Sequence, residues 1–542
     1  MKELVLTAIR AALERLGFES DVRVVIERPR QEQHGDLTTN VAMVLAKTLR
    51  RNPRELAAQI VDALRLDTTL VEGIEVAGPG FINVAFTPKY LRQELRALIA
   101  AGADYGRSTS GGGRRIQVEF VSANPTGPLT VGHGRGAVFG DTVARLLEWT
   151  GHDVEREYYF NNAGRQMRVL GDSVRLRYLE LLGEEVEFPE EYYQGDYIRE
   201  IARHLRDLEG DALRKEPAEG RFKEQGELDI FADIRRTLRS LGIEFDSYFN
   251  ENTLYADGKI EEVVSVLRSK GLLYDHDGAV WFKTSAFGAE KDKVIIKGSG
   301  EPTYRLPDIA YHRDKFARGF DLMIDVFGAD HIATYPDVLA GLEALGLDSS
   351  KVKVLIHQFV TIVQGGEVVK MSTRRANFIT LDELIEEVGT DVVRYFFLMR
   401  TIASHLNFDL DLAKQQSEEN PVYYLQYAHA RISSILRYAD TAGELPAEPD
   451  LDLLGAREEI ALMKLLLQFP ELVESCAQTY EPHRLADYLH DIAGAFHGFY
   501  HLHRVVSESP ELTAARLSLC KAVQLVLRNG LQILGIRAPE EM

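Results

Sequence analysis

Cysteine is scarce, with two in 542 residues, Cys476 and Cys520. Both sit in apolar, helical-looking stretches and show none of the spacings of a metal site or a disulfide framework, so a reducing, cytoplasmic setting is expected. Long apolar runs are lacking too, and nothing approaches the ~20 residues that span a bilayer. The opening stretch from Met1 to Gly17 reads as an amphipathic helix whose charges interrupt any signal-peptide core, and no membrane partner is expected. Positive charge is the third shortage: 63 Lys and Arg face 83 Asp and Glu, leaving a formal charge of −20. That balance excludes a protein that coats nucleic acid by bulk attraction, because such affinity rests on Lys and Arg contacts. It leaves room for a structured RNA read by shape and by local basic patches, for which Arg374 with Arg375 and Arg394 with Arg400 are candidates. Low-complexity tracts and repeats of about 20–50 residues are also missing.

What is present is enough for several buried cores: 45% of residues are hydrophobic and 27% charged, and the length predicts three or four domains. Residues 1–110 combine helical stretches with an alternating, strand-rich segment from Val71 to Phe86 and close on a Gly111-Gly-Gly113 linker. They form an N-terminal α+β domain. Residues 111–405 alternate strands and helices, as a doubly wound α/β nucleotide-binding domain does. Within it, about 159–252 is polar and helix-rich and reads as an insertion between the two halves. Residues 406–542 turn wholly helical, with breakers at Gly443–Pro449 and Ser507–Pro510, as in an α-helical bundle.

The strongest signal is Asn124-Pro-Thr-Gly-Pro-Leu-Thr-Val-Gly-His-Gly-Arg-Gly136. Before it, Ile116, Val118 and Phe120 alternate with polar residues as in a strand. After it, Phe139, Val143, Leu146 and Leu147 repeat with helical spacing up to a terminating Gly151. A strand, a glycine-rich turn and a helix leave free N–H groups and a positive helix end, a site for nucleotide phosphates. Gly132 and Gly134 allow close backbone approach, and His133 can place a donor on a phosphate oxygen. Alone, this could be an ordinary strand-to-helix turn. A second element, Lys370-Met-Ser-Thr-Arg374, follows the strand-like run Val352 to Val363 and precedes a helix with Thr380 and Glu383 spaced as a capping box. A basic loop there can close on a polyphosphate.

Together the two elements resemble the signature motifs of class I aminoacyl-tRNA synthetases. The set formed by Glu119-Phe-Val-Ser-Ala-Asn-Pro-Thr-Gly-Pro128, Tyr304-Arg-Leu-Pro-Asp308, Gly328-Ala-Asp-His331 and Asn420-Pro-Val-Tyr-Tyr-Leu-Gln-Tyr-Ala-His-Ala-Arg431 is similar to the arginyl-tRNA synthetases. His34-Gly-Asp36 with Asn40, and Gly78-Pro-Gly-Phe-Ile-Asn83, resemble that family's additional N-terminal domain, a tRNA contact. The resemblance implies ATP-driven activation of L-arginine to arginyl-adenylate and transfer to tRNA(Arg), with Mg2+ accompanying ATP, no structural metal, and a monomer. It assigns ATP contacts to Thr130, Gly132, His133, Gly134, Gly328, Asp330, His331, Lys370 and Met371. Catalytic roles go to His133, Lys370, Ser372 and Arg374, and arginine contacts to Glu119, Asn124, Tyr304 and Asp308.

Chemistry agrees with an arginine pocket, since a guanidinium has five donors and cannot be neutralised, so it needs fixed carboxylates. Tyr304 and Asp308 share a face if their segment is helical. Such a pocket rejects ligands lacking its hydrogen bonds by roughly 10⁴–10⁵ in rate, which makes editing unnecessary. The family's first motif histidine is Thr130 here and its second motif lysine is Thr373, neither of which carries charge, so transition-state stabilisation must come partly from elsewhere. In the helical region Tyr423, Tyr424 and Arg431 are candidates to stack on bases, and the anticodon-binding character is implied by the resemblance. His497 and His501 have i, i+4 metal spacing without a third ligand, and with His490 and His503 they read as bundle packing or surface. Two other readings are an RNA-free nucleotidyltransferase and a non-catalytic RNA-binding relative.

Overall fold

The computed structural model describes all residues except 19–21, 30, 370–378, 440 and 442–443. A four-stranded antiparallel sheet near the N-terminus runs Ile26–Glu27, Leu37–Thr39, Phe81–Phe86, Val71–Ala77 in spatial order. Helices Lys2–Arg15, Val41–Leu49 and Pro53–Ala63 accompany it. Local sequence sets the helix starts: the Asn52 side chain accepts the N–H groups of Arg54 and Glu55 ahead of Pro53, and Thr87 accepts that of Tyr90 ahead of Pro88. The glycines at 111–113 do not form a free linker. Gly111 and Gly113 donate their N–H groups to the Thr150 and Gly151 carbonyls at 2.8 and 2.9 Å, strapping the chain to the end of the next helix.

That helix, α1 (Val131–Trp149), follows the first of five parallel strands: β1 (Arg115–Glu119), β2 (Asp153–Phe160), β3 (Ser247–Asn250), β4 (Leu322–Gly328) and β5 (Val352–His357). Their spatial order is β5-β4-β1-β2-β3. The winding reverses between β1 and β4, so a crevice opens at the carboxyl ends of those two strands, where open α/β sheets bind ligands. The alternation in β1 predicts one wet face, but the strand is central and both faces are covered. Ile116, Val118 and Phe120 pack toward the α1 side, where a Cβ on Gly140 would stand 2.3 Å from Phe120 Cγ. Gln117 and Glu119 are buried as well. Gly140→Ala is expected to destabilise the protein by about 1–3 kcal/mol through overpacking, read as a lower urea midpoint with unchanged slope.

Three boundaries differ from expectation. The polar stretch at 159–252 does not separate the halves: it is bounded by β2 and β3, adjacent parallel strands of one half, and is the helical crossover between them. The halves are joined instead by 251–321, which carries a small antiparallel sheet of Leu273–His276, Ala279–Phe282 and Lys293–Ile296, then α2 (Arg305–Ala317). The run Val352 to Val363 breaks after His357, and Val360–Gln364 pairs in parallel with Leu406–Asp409 in a separate sheet. The region beyond 406 therefore begins as a strand, because Leu406 and Phe408 bury on one side of it. Helix α3 (Thr390–Leu398) precedes that strand, and α4 (Pro421–Ala439), α5 (His483–Leu502) and α6 (Pro510–Leu534) follow it, α4 to α6 packing on one another with Arg457–Leu466 and Phe469–Thr479. Burial pushes both thiols, Cys476 and Cys520, up to about 12, so neither is reactive. No helix among the described residues is long and apolar enough to cross a membrane.

Candidate active site

Helix α1 starts at Val131, so Gly132, Gly134 and Gly136 lie inside its first turns and not in the turn before it. Their size serves close packing: a Cβ on Gly134 would stand 2.6 Å from Leu381 and 3.0 Å from Phe397. The amino end of α1 thus abuts the segment that follows the second motif. A bridge between Thr130 and Thr380, and a hydrogen bond of 2.8 Å from the Leu381 N–H to the Leu129 carbonyl, join the two. Thr380 opens helix Leu381–Val388 with the expected capping box to Glu383. Lys370, Met371, Ser372 and Arg374, with Thr373 and Arg375, lie outside the described residues.

His133 is the third residue of α1. Its Nδ1 accepts the Thr130 backbone N–H at 3.1 Å, with the Thr130 hydroxyl 3.2 Å away. A nitrogen that accepts carries no proton, so the hydrogen is on Nε2 and the ring is a directed donor. Burial lowers the His133 pKa against the opposing pull of Asp330, keeping the ring neutral. Thr130, standing where the resemblance expects another histidine, thereby orients the histidine that remains. Asp330 and His331 follow β4 in a short turn and are exposed at its carboxyl end, His331 stacked on Phe327 at 5.0 Å. Arg135, not singled out in the sequence, is buried and donates to the carbonyls of Gln358, Ser404 and Thr401 at 2.8, 2.8 and 3.1 Å. Burial lowers its pKa to about 10, still charged at neutrality. A buried cation under a helix amino end reinforces the positive field offered to an anion.

On the other side of the crevice the chain is strained. Val121 and Ser122 take φ of 67° and 40°, a left-handed conformation that costs a non-glycine residue about 1–2 kcal/mol. Neighbouring bonds hold it. The Ser122 hydroxyl accepts the Tyr159 N–H at 3.1 Å and donates to Glu119 Oε1 at 2.9 Å, and the Tyr158 hydroxyl donates to the Ala123 carbonyl at 2.8 Å. Glu119 Oε2 receives Lys315 Nζ at 2.6 Å, and the same Nζ reaches Asp325 Oδ1 at 2.7 Å. Burial alone would discharge Lys315, but Asp325 and Glu119 hold its pKa up. His312 of α2 lies between Asp325 Oδ2 and the Asp308 carbonyl, 2.8 Å from each.

Asp308 has no ion-pair partner among the described residues, unlike Glu119 and Asp325. Burial raises its pKa to about 7 against the opposing His312 and Lys315, with repulsion from Glu119 and Glu251 adding to the rise. Glu251, directly after β3, is buried, and burial raises its pKa too; it accepts the Tyr159 hydroxyl at 2.9 Å. The pocket holds more carboxyl groups than cations. Tyr304 caps α2 one turn before Asp308 and is 70% exposed, and Asn124 is exposed at the pocket edge. Glu251 and Lys315 were missed in the sequence. Glu251 sits at a strand's carboxyl end, a signal hidden by reading that stretch as an insertion; Lys315, one lysine in a helix, carried no signal.

Other candidates fall elsewhere. Arg394 is fully buried and bonded to Asp141 at 2.6 Å, so it offers nothing to RNA; Arg400 is exposed. Tyr424 lies between the rings of His490 and His497, at 5.0 and 4.9 Å, Tyr423 stacks on Tyr427, and Arg431 is exposed with its guanidinium 5.2 Å from the Tyr500 ring. His503 pairs with Glu458 at 2.9 Å.

Comparison with known proteins covers nearly the whole chain. The family description "Arginyl tRNA synthetase N terminal domain" matches residues 3–86, "tRNA synthetases class I (R), catalytic domain" residues 94–395, and "DALR anticodon binding domain" residues 425–542. The chain is 56% identical to an arginine–tRNA ligase of Desulfotalea psychrophila over 96% of this chain and 95% of that one. It is 51% identical to that of Salinibacter ruber over the full length of both. The Thermus thermophilus arginyl-tRNA synthetase structure superposes with a TM-score of 0.79 at 24% identity over 100% of both chains, a likeness of fold.

Proposed function

The chain belongs to the arginyl-tRNA synthetases, ligases that charge tRNA(Arg) with arginine through the adenylate route general to class I enzymes, and from that premise we propose how its residues divide the work. The α-phosphate of ATP lies at the amino end of α1, taking a hydrogen bond from His133 Nε2 and lying in the field of Arg135. Gly132, Gly134, Thr130 and Met371 frame the nucleotide, Gly328, Asp330 and His331 hold its ribose or base, and Lys370, Ser372 and Arg374 close over the phosphates. The arginine guanidinium pairs with Asp308 beneath Tyr304, its other donors reaching Glu119 and Glu251, while Asn124 holds the α-amino or carboxylate end. The carboxylate then attacks the α-phosphorus in line, pyrophosphate leaves, and the tRNA ribose hydroxyl displaces AMP. Positioning and charge stabilisation do the catalysis.

The observation that carries this reading is the Thr130–Thr380 bridge, which brings the flanks of both motifs to one crevice beside an acid-rich pocket. Among the described residues no group of three or more His, Cys, Asp or Glu side chains could hold a metal ion, so Mg2+ would arrive on the ATP phosphates. RNA contacts fall to the N-terminal domain and to the C-terminal bundle, where a cavity of about 600 Å3 is lined by Arg431, Tyr438, Tyr500, His501 and Arg504. Its cations and rings suit unstacked bases. We take the working form to be a cytoplasmic monomer. Charging of total tRNA with each amino acid in turn is expected to succeed with arginine alone. His133→Ala is expected to slow adenylate formation by about 2–4 kcal/mol, roughly 30- to 1000-fold; near-native ATP–pyrophosphate exchange by a folded variant removes His133 from the mechanism.

A further inference from the structure

His357 ends β5, at the same carboxyl edge as Gly328 of β4, with which it is in register. Two glycines cradle its ring: a Cβ on Gly136 would stand 3.0 Å from His357 Nε2, and one on Gly328 3.6 Å from Cε1. The ring therefore spans the crevice floor between α1 and β4, touching a helix that starts with His133 and a strand that leads to Asp330. Its Nδ1 is buried without a hydrogen-bond partner. An orphaned buried N–H is rarer and costlier than an under-used acceptor, so the hydrogen belongs on Nε2, the atom that faces Gly136. Burial, with Arg135 and His133 adding to it, outweighs the opposing Gln358 backbone and Asp330 and lowers the pKa to about 4, so the ring is neutral at pH 7.

We infer that His357 is a further nucleotide-contacting residue, its Nε2–H donating to the base or ribose of ATP and supplying, from the second half of the sheet, the second imidazole that Thr130 leaves out of the first motif. The choice of nucleoside over phosphate follows from the neighbours. Asp330 Oδ1 would lie 2.5 Å from a Cβ on Gly328, at the same corner of the cradle as His357 Cε1. A carboxylate there disfavours a polyphosphate but accepts from a ribose hydroxyl or an exocyclic amine. His133, at the amino end of α1, keeps the phosphate end. The two imidazoles thus divide one nucleotide between them, both neutral and both donating from Nε2.

The inference rests on the crevice being the ATP site, and the test separates the two. In ATP–pyrophosphate exchange with tRNA present, adenosine and inorganic tripolyphosphate are titrated as inhibitors against the native protein, H357F and H357Q. Competition between adenosine and ATP in the native protein tests the site alone, and its absence overturns that reading and this one with it. Given competition, H357F is expected to weaken adenosine inhibition on the order of 10-fold, the scale of one lost hydrogen bond. Tripolyphosphate inhibition stays as it was, and H357Q, whose amide nitrogen stands in for Nε2, recovers most of the loss. Unchanged adenosine inhibition in H357F, an equal loss for both inhibitors, or no recovery in H357Q overturns the assignment. The amide variant keeps a donor in the cradle, so a fold defect in the phenylalanine variant does not decide the outcome.

Discussion

Replacing Asp308 with asparagine is expected to lower kcat/KM for arginine by roughly 30- to 5000-fold, the scale of about 2–5 kcal/mol for removing one partner of a buried, hydrogen-bonded charge pair. The reason is the missing cation. Glu119 and Asp325 already share Lys315, so each has a cation beside it before any substrate arrives. Asp308 forms no ion pair among the described residues, is relieved only in part by His312 and Lys315 and is repelled by Glu119 and Glu251, and its pKa stands at about 7. A guanidinium, always charged, is the group that turns this unfavourable carboxylate into a favourable one.

The same argument fixes a pH dependence. A carboxyl whose folded pKa is raised to about 7 holds its proton below that pH. Arginine binds the ionised form, so the proton must leave on binding. KM for arginine is expected to rise as pH falls below neutrality, by up to about tenfold per unit, and to level off above it. In Asp308→Asn the dependence disappears along with the affinity. Measured from about pH 5.5 to 8, a flat KM in the native protein would show that Asp308 is not the group that meets the guanidinium.

How much of this was legible in advance depended on which neighbours a residue met. The glycine-rich element, the α/β alternation and the Thr380–Glu383 cap are local patterns, and local patterns carry to structure directly. The polar half of β1 did not. Gln117 and Glu119 alternate with Ile116 and Val118 as surface residues would, yet Glu119 points into a buried network made by Lys315, Asp325 and His312, and Gln117 donates to the buried Glu157, all from distant segments. Periodicity reports that two faces differ, not which one is wet. The same limit hid Glu251: a strand of four residues after a long helical stretch leaves a weak signal, and without that strand there is no carboxyl edge on which to look for a ligand. Arg394 was misread for the converse reason, because an arginine beside a helix looks solvated until the acid that buries it, 253 residues away, is known.

Arg394→Met is expected to destabilise the protein by about 3–5 kcal/mol, the largest stability loss among the substitutions considered. Its guanidinium is fully buried and joins three elements. It donates to Asp141 Oδ2 on α1 at 2.6 Å, to the Leu241 carbonyl near the end of the β2–β3 crossover at 2.9 Å, and to the Leu534 carbonyl at the end of α6 at 2.8 Å. Burial by itself would raise the Asp141 carboxyl; Arg394, Arg145 and Arg156 together hold it below the usual carboxylate range. Methionine fills similar volume but leaves two carbonyls unpaired and Asp141 with only its two peripheral arginines. Because acid and arginine act as a unit, Asp141→Asn in the Arg394→Met background should cost at least about 1 kcal/mol less than in the native one. Urea midpoints of the four proteins measure that coupling, and strict additivity would dissolve the pair as a unit. Where the variant remains folded, its KM values for arginine and ATP should match the native ones, since Arg394 reaches the site only through the far end of α1. Loss confined to KM, with an unchanged midpoint, would instead make Arg394 part of the binding surface and reverse its removal from the functional residues.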